Sequence, residues 1–199
     1  MKFTGIFKEK GDMLRKMWIN QFAFSLFGIF VASPFSAGLC TAAGVFSYLF
    51  YLSVVSFAIL DDSQKDRIAF NAGRKKNVSS VTGVMYSFVA FIPTLILTIV
   101  HLAFSFMPMV SENITKVIYL INRFVLCGEV IGIDSGITNI VTVNYKPVVA
   151  GPEWAGFMSE HGIFQLLFAV LSVVIFGIVY YLGFKGIISI NTTETKKNQ

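Results

Sequence analysis

The sequence predicts an all-α integral membrane protein with four transmembrane helices and both termini cytoplasmic. Three observations lead there. Hydrophobic residues make up 55% of the 199-residue chain and charged ones only 14%, against about 25% charged in an average soluble domain. The apolar residues come in runs of the ~17–25 residues that a helix needs to cross the hydrocarbon core, not in amphipathic periods. The basic residues stand at the ends of those runs, where orientation in a membrane is decided. Mean hydropathy is +0.70, and 21 Phe and seven Tyr suit lipid-facing surfaces and interfacial belts. A net charge of +5 placed in this way needs no nucleic-acid partner. Residues 1–199 read as one membrane domain whose first partner is the lipid bilayer.

Residues 1–16 form a short amphipathic leader, with Lys2, Lys8, Lys10, Arg15 and Lys16 against Glu9 and Asp12. Trp18 stands where a belt residue belongs, and the first span follows over about 17–33. A basic segment before an apolar run also fits a signal peptide. Pro34, three residues before the candidate Ala37, is not the small residue cleavage needs, and Leu39 before Cys40 excludes a lipoprotein cysteine. The segment is therefore expected to remain as an uncleaved helix. Pro34 and Gly38 supply turn chemistry, and the second span runs over about 39–60.

The charged stretch 61–80, from Asp61 and Asp62 to Arg74, Lys75 and Lys76, is expected as a cytoplasmic loop. The third span covers about 81–107 and contains Pro93, a kink signal. Residues 108–161 form an external segment. Within it, a span over 113–130 is disfavoured by Lys116, Arg123 and Glu129, since a charge at mid-bilayer costs at least ~2.5–3.5 kcal/mol. Ile114, Val117, Ile118, Ile121, Phe124 and Val125 share one helical face, with Thr115, Lys116, Tyr119, Asn122 and Arg123 opposite. That pattern predicts a helix lying in the interface plane. Residues 132–149, rich in β-branched Ile137, Thr138, Ile140, Val141, Thr142 and Val143, are expected to be extended. A short helical approach over 152–161 carries Trp154, and the last span runs over about 162–184, closed by Tyr180, Tyr181 and Lys185.

Charge asymmetry supports this layout. Of the 16 Lys and Arg residues, only Lys116, Arg123 and Lys146 fall outside the leader, the 61–80 loop and the C-terminal tail. Four spans put the other thirteen on the cytoplasmic side, whereas five would place the basic tail outside, against the positive-inside rule. Cys40 and Cys127 both fall near the outer face, where they stand as two apolar thiols or one disulfide.

Ser87, Thr94, Thr98, His101 and Ser105 share a face of the third span. Gln21, Ser25, Gly28 and Ala32 form a similar row on the first span; Thr41, Gly44, Tyr48 and Tyr51 do so on the second, and Gln165, Ala169, Ser172 and Gly183 on the last. Such rows pack helices together, each interhelical hydrogen bond contributing about 0.6 kcal/mol. They also fit a polar pathway with His101 as its titratable member. Against a coupled pathway stands the absence of Asp, Glu, Lys and Arg from the four spans. Arg74, Lys75 and Lys76, with Gly73 allowing close approach, fit either a topogenic loop or a contact for anionic lipid or an acidic partner. Glu129, Asp134, Glu153, Glu160 and His161 show no metal-ligand spacing and read as a solvated rim. No catalytic residue, metal site or cofactor is expected.

The stretch Asp66-Arg67 with Asn71-Ala72-Gly73-Arg74-Lys75-Lys76, together with Phe91-Ile92-Pro93-Thr94 and Tyr180-Tyr181-Leu182-Gly183-Phe184-Lys185-Gly186, resembles small uncharacterised multi-spanning membrane proteins of Gram-positive bacteria. The resemblance implies a bacterial plasma-membrane location and no activity. The expected role is a non-enzymatic accessory or assembly component acting on a membrane partner or on itself through helix packing. The alternatives are a small-solute or ion pathway along the third span and, more remotely, a lipid-modifying enzyme using the external acids.

Overall fold

The structure is a computed structural model and describes residues 3–32, 37–75, 78–79, 81–107, 109–122, 130–138, 140–143, 146–149 and 151–189. These residues form, in order, α1 (Phe3–Ala32), α2 (Ala37–Asn71), α3 (Thr82–Ser105), α4 (Glu112–Ile121), α5 (Ile131–Thr138), β1 (Ile140–Val143), β2 (Lys146–Val149), α6 (Glu153–Glu160) and α7 (Ile163–Lys185).

Three of the helices, α2, α3 and α7, are long and apolar enough to cross a membrane. They coincide with the expected spans at 39–60, 81–107 and 162–184. The first expected span, 17–33, does not join them. It lies in the second half of α1, directly after Arg15 and Lys16, and Asn20 and Gln21 dilute its apolar run.

The expected loop at 61–80 is corrected in its first half. At 35 residues, α2 is about 52 Å long at 1.5 Å per residue, well beyond the ~30 Å hydrocarbon core. Asp61–Asn71 therefore continue the helix past its apolar part. The end is set by Gly73, whose φ of 70° costs a residue without Cβ nothing. The Gly73 amide donates to the Phe70 carbonyl at 3.0 Å and the Arg74 amide to the Ala69 carbonyl at 2.9 Å, the paired bonds of a glycine helix stop. Gly73 thus terminates α2 instead of opening a ligand cradle.

The external segment is corrected twice. Residues 131–138, expected to be extended, form α5. Asp134 in its first turn complements the helix dipole, and the Thr138 hydroxyl donates to the Asp134 carbonyl at 2.7 Å. The extended expectation holds only for the antiparallel hairpin that follows, in which Ile140 pairs with Val149 and Val143 with Lys146. In α4 the apolar residues Ile114, Val117, Leu120 and Ile121 face away from the protein, as an interfacial helix requires, but the polar side is not left to water: Asn122, just past its end, is buried. Arg123, Cys127 and Glu129 lie outside the described residues, and the Cys40–Cys127 question with them.

The described residues gather into two compact units, one drawn from within 1–17, 53–90 and 172–199, the other from within 18–52 and 91–171. In the first unit, α3 meets α7 through glycines. A Cβ on Gly83 would lie 2.2 Å from the Tyr180 Cβ, and one on Gly177 would lie 2.6 Å from Val84 Cγ2. The Tyr86 and Tyr180 rings meet edge to face at 5.5 Å. In the second unit, Phe24 of α1 packs edge-on against Phe50 and Tyr51 of α2 at 5.3 and 5.7 Å. Tyr48 reaches α7, its ring 4.8 Å from that of Phe168.

Candidate functional site

In the second unit, the third-span row becomes part of a buried polar cluster. The Gln21 amide Nε2 donates to Thr94 Oγ1 at 2.8 Å. The Thr98 hydroxyl donates to the Thr94 carbonyl at 2.8 Å and accepts from Asn122 Nδ2 at 2.7 Å. One turn on, His101 is buried with its ring 5.1 Å from that of Tyr119. The Tyr119 hydroxyl donates to Asp134 Oδ2 at 3.2 Å and lies 3.4 Å from Ser159 Oγ. Gln21 comes from α1, Thr94, Thr98 and His101 from α3, Tyr119 from α4 and Asp134 from α5, so one cluster draws on four helices.

The space beside Gly162, between α6 and α7, completes it. A Cβ there would lie 2.5 Å from His101 Nδ1 and 3.6 Å from Gln165 Oε1. Both atoms are buried, and neither has a hydrogen-bond partner among the described residues. A buried polar atom left unpaired costs about 1–3 kcal/mol, so the two atoms beside this backbone position are a destabilising feature of the described fold. His161 does not join them; its Nδ1 lies 2.9 Å from the Phe157 carbonyl.

The remaining expected pathway residues are placed differently. Ser105 is half-buried and donates to its own helix at the Leu102 carbonyl, 2.8 Å away. Ser87 is buried but belongs to the first unit.

The first unit buries a second constellation. Lys10 is 3% exposed and Asp66 2%. Lys10 Nζ bonds Asp62 Oδ2 and Asp66 Oδ2, and sits 5.7 and 5.8 Å from the Tyr86 and Tyr180 ring centroids. The Tyr180 hydroxyl donates to Asp66 Oδ2 at 2.7 Å, and Lys75 Nζ donates to Asp66 Oδ1 at 2.7 Å. This divides the expected Arg74–Lys75–Lys76 contact. Lys75 is turned inward onto Asp66, Arg74 is exposed, and Lys76 lies outside the described residues. Every charge in the constellation has an opposite partner, so it is a structural clasp joining the α1 leader, α2 and α7.

On the sequence alone Asp134 reads as part of a solvated rim, Tyr119 and Asn122 as the polar face of an interfacial helix, and Lys10 as part of an amphipathic leader. A signal for the clasp was present: Asp62 and Asp66 are four apart, on one face of a helix that the run of apolar residues before them already implied. No comparable signal marks Asp134, because its exposure depends on which side of α5 packs. Among the described residues, no group of three or more His, Cys, Asp or Glu could hold a metal ion. No protein-family model, curated protein or solved structure matches the chain.

Proposed function

We propose that this is a non-enzymatic membrane protein whose second unit carries a small polar solute or an ion along the Thr94–Thr98–His101 face. The observation that carries the reading is the cluster in which Asn122, Tyr119, Asp134 and Gln165 converge on that face. It removes the strongest argument against transport, the lack of charge in the spans, because Asp134 enters from α5. Intramembrane ionisable groups that face a protein interior mark solute paths and proton relays. In this reading α1 is a fourth span, both termini are cytoplasmic and the membrane is a bacterial plasma membrane.

The test is flux in proteoliposomes, followed with pH- and cation-sensitive dyes and with labelled small solutes. His101→Ala, Thr98→Val and Asn122→Leu should each lower the wild-type flux at least tenfold while thermal unfolding stays within a few degrees. Absence of flux from the wild-type protein would defeat the proposal. A second reading, an accessory component held by packing, is favoured by the Gln21–Thr94 and Asn122–Thr98 bonds, which resemble the hydrogen-bonded seams of membrane bundles. It expects a defined partner, or a stable self-assembly, to co-purify in mild detergent; a clean monomer argues against it.

A further inference from the structure

We propose that α4 and α5 both reach into the hydrocarbon from the side on which α3 ends, with the outward face of α4 docked on lipid acyl chains. The proposal is independent of whether anything is transported.

Its first support is the orientation of α4, apolar side out and Asn122 in. Ile114, Val117, Leu120 and Ile121 are 51%, 53%, 47% and 44% exposed, whereas Asn122 is 1% exposed. Four residues at spacings of three, three and one make a continuous apolar stripe. In water the stripe would face the core, because burying such a side chain is worth about 1.5–3 kcal/mol. Hydrocarbon removes that penalty, and inward-facing Tyr119 and Asn122 find partners in the protein.

The second support is depth. Asn122 bonds Thr98, and Tyr119 packs on His101. Thr98 and His101 stand seven and four residues before the end of α3 at Ser105, so these contacts lie about 10 and 6 Å inside it at 1.5 Å per residue. On α5, the backbone at Gly132 and Ile133 lies against Gly44; a Cβ on Gly44 would come within 2.3 Å of the Ile133 amide nitrogen. Gly44 is seven residues into α2, again about 10 Å from its start. The start of α2 and the end of α3 belong to the same unit, and both helices have the length and composition of a span. A helix lying flat would hold Tyr119 and Asn122 at one level, whereas they meet α3 at His101 and Thr98, about 4.5 Å apart along its axis.

The third support is continuity. Ile96 and Ile99, on the α3 turns around Thr98, are themselves more than half exposed, so the α4 stripe extends an apolar surface that already needs lipid. Helical backbone satisfies its own hydrogen bonds at such depth. Lys116, in the first turns of α4, has the reach to snorkel to the head groups.

The experiment places a single tryptophan on the stripe, as Val117→Trp with Trp18→Phe and Trp154→Phe, in vesicles whose lipids are brominated at different acyl depths. Quenching should be at least twofold stronger from bromine in the acyl chain than from bromine near the head group. In parallel, Val117→Cys with Cys40→Ala and Cys127→Ala should react with a membrane-impermeant maleimide at least tenfold more slowly than Met109→Cys in the same background. Met109 is 97% exposed and sets the rate of a fully accessible thiol in the same protein. Quenching mainly by head-group bromine, or labelling at the Met109 rate, would return α4 to the interface. Protection from maleimide without acyl-chain quenching would mean that a protein surface covers the stripe, and would equally overturn the proposal.

Discussion

Asp66→Ala is expected to destabilise the protein by about 3–5 kcal/mol, because it leaves a buried ammonium short of its partner. Lys10 would keep only Asp62, the more exposed of its two carboxylates, while Lys75 and the Tyr180 hydroxyl would both lose their acceptor. The cost arises from desolvation: Lys10 is 3% exposed and lies over the rings of Tyr86 and Tyr180. Tyr180→Phe removes, among its contacts, the hydrogen bond to the Asp66 carboxylate, and that loss should cost about 1.5–3 kcal/mol. Replacing both charges, as Lys10→Met with Asp66→Leu, should recover the part of the loss due to the stranded Lys10 ammonium, while Tyr180 stays without its Asp66 acceptor. Unfolding in mixed micelles with increasing denaturing detergent reads all three. A single Asp66→Ala within 1 kcal/mol of wild type would show that the clasp is solvated and contributes little.

The second large effect belongs to Gly44. A Cβ on this residue would lie 2.3 Å from the Ile133 nitrogen and 2.6 Å from the Gly132 carbonyl carbon, and one on Gly132 would lie 2.5 Å from the Cys40 carbonyl oxygen. These are backbone atoms on both sides, so no side chain can swing aside. Overpacking a core typically costs about 1–3 kcal/mol, and Gly44→Leu should exceed that range and detach α5 from α2. Gly11 is the control, also helical but with nothing within 4 Å of an added Cβ. Gly11→Ala should be neutral or stabilising by up to about 1 kcal/mol, the difference in helix propensity. Thermal unfolding of the two variants should therefore move in opposite directions, and a Gly44→Leu protein as stable as wild type would show that α5 does not pack there.

Much of the candidate site was present in the sequence as one half of a contact. Thr94, Thr98 and His101 are recognisable from their shared face on α3, and Gln21 and Gln165 from equivalent rows. Their partners Tyr119, Asn122 and Asp134 were not recognisable, because each sits in a segment whose charges argue against burial. Helical periodicity assigns residues to faces but carries no sign that says which face is inward. In water the apolar face turns in; beside lipid the polar one does.

The sequence by itself determined the membrane class and the positions of α2, α3 and α7, because apolar length and charge deficit act locally and need no partner to be felt. The stop of α2 at Gly73 came from the structure, where φ is 70° and only a residue without Cβ sits comfortably. Only the tertiary structure decided that residues 131–138 are helical, that α4 turns its polar side inward, and that Lys10 closes onto Asp62 and Asp66. Local preference at 131–138 favours strand, and the close approach of Gly132 to Gly44 holds a helix there instead. Lys10 and Asp66 are 56 residues apart, so no local pattern joins them. Such pairs are settled only when desolvation forces each buried charge to find its opposite.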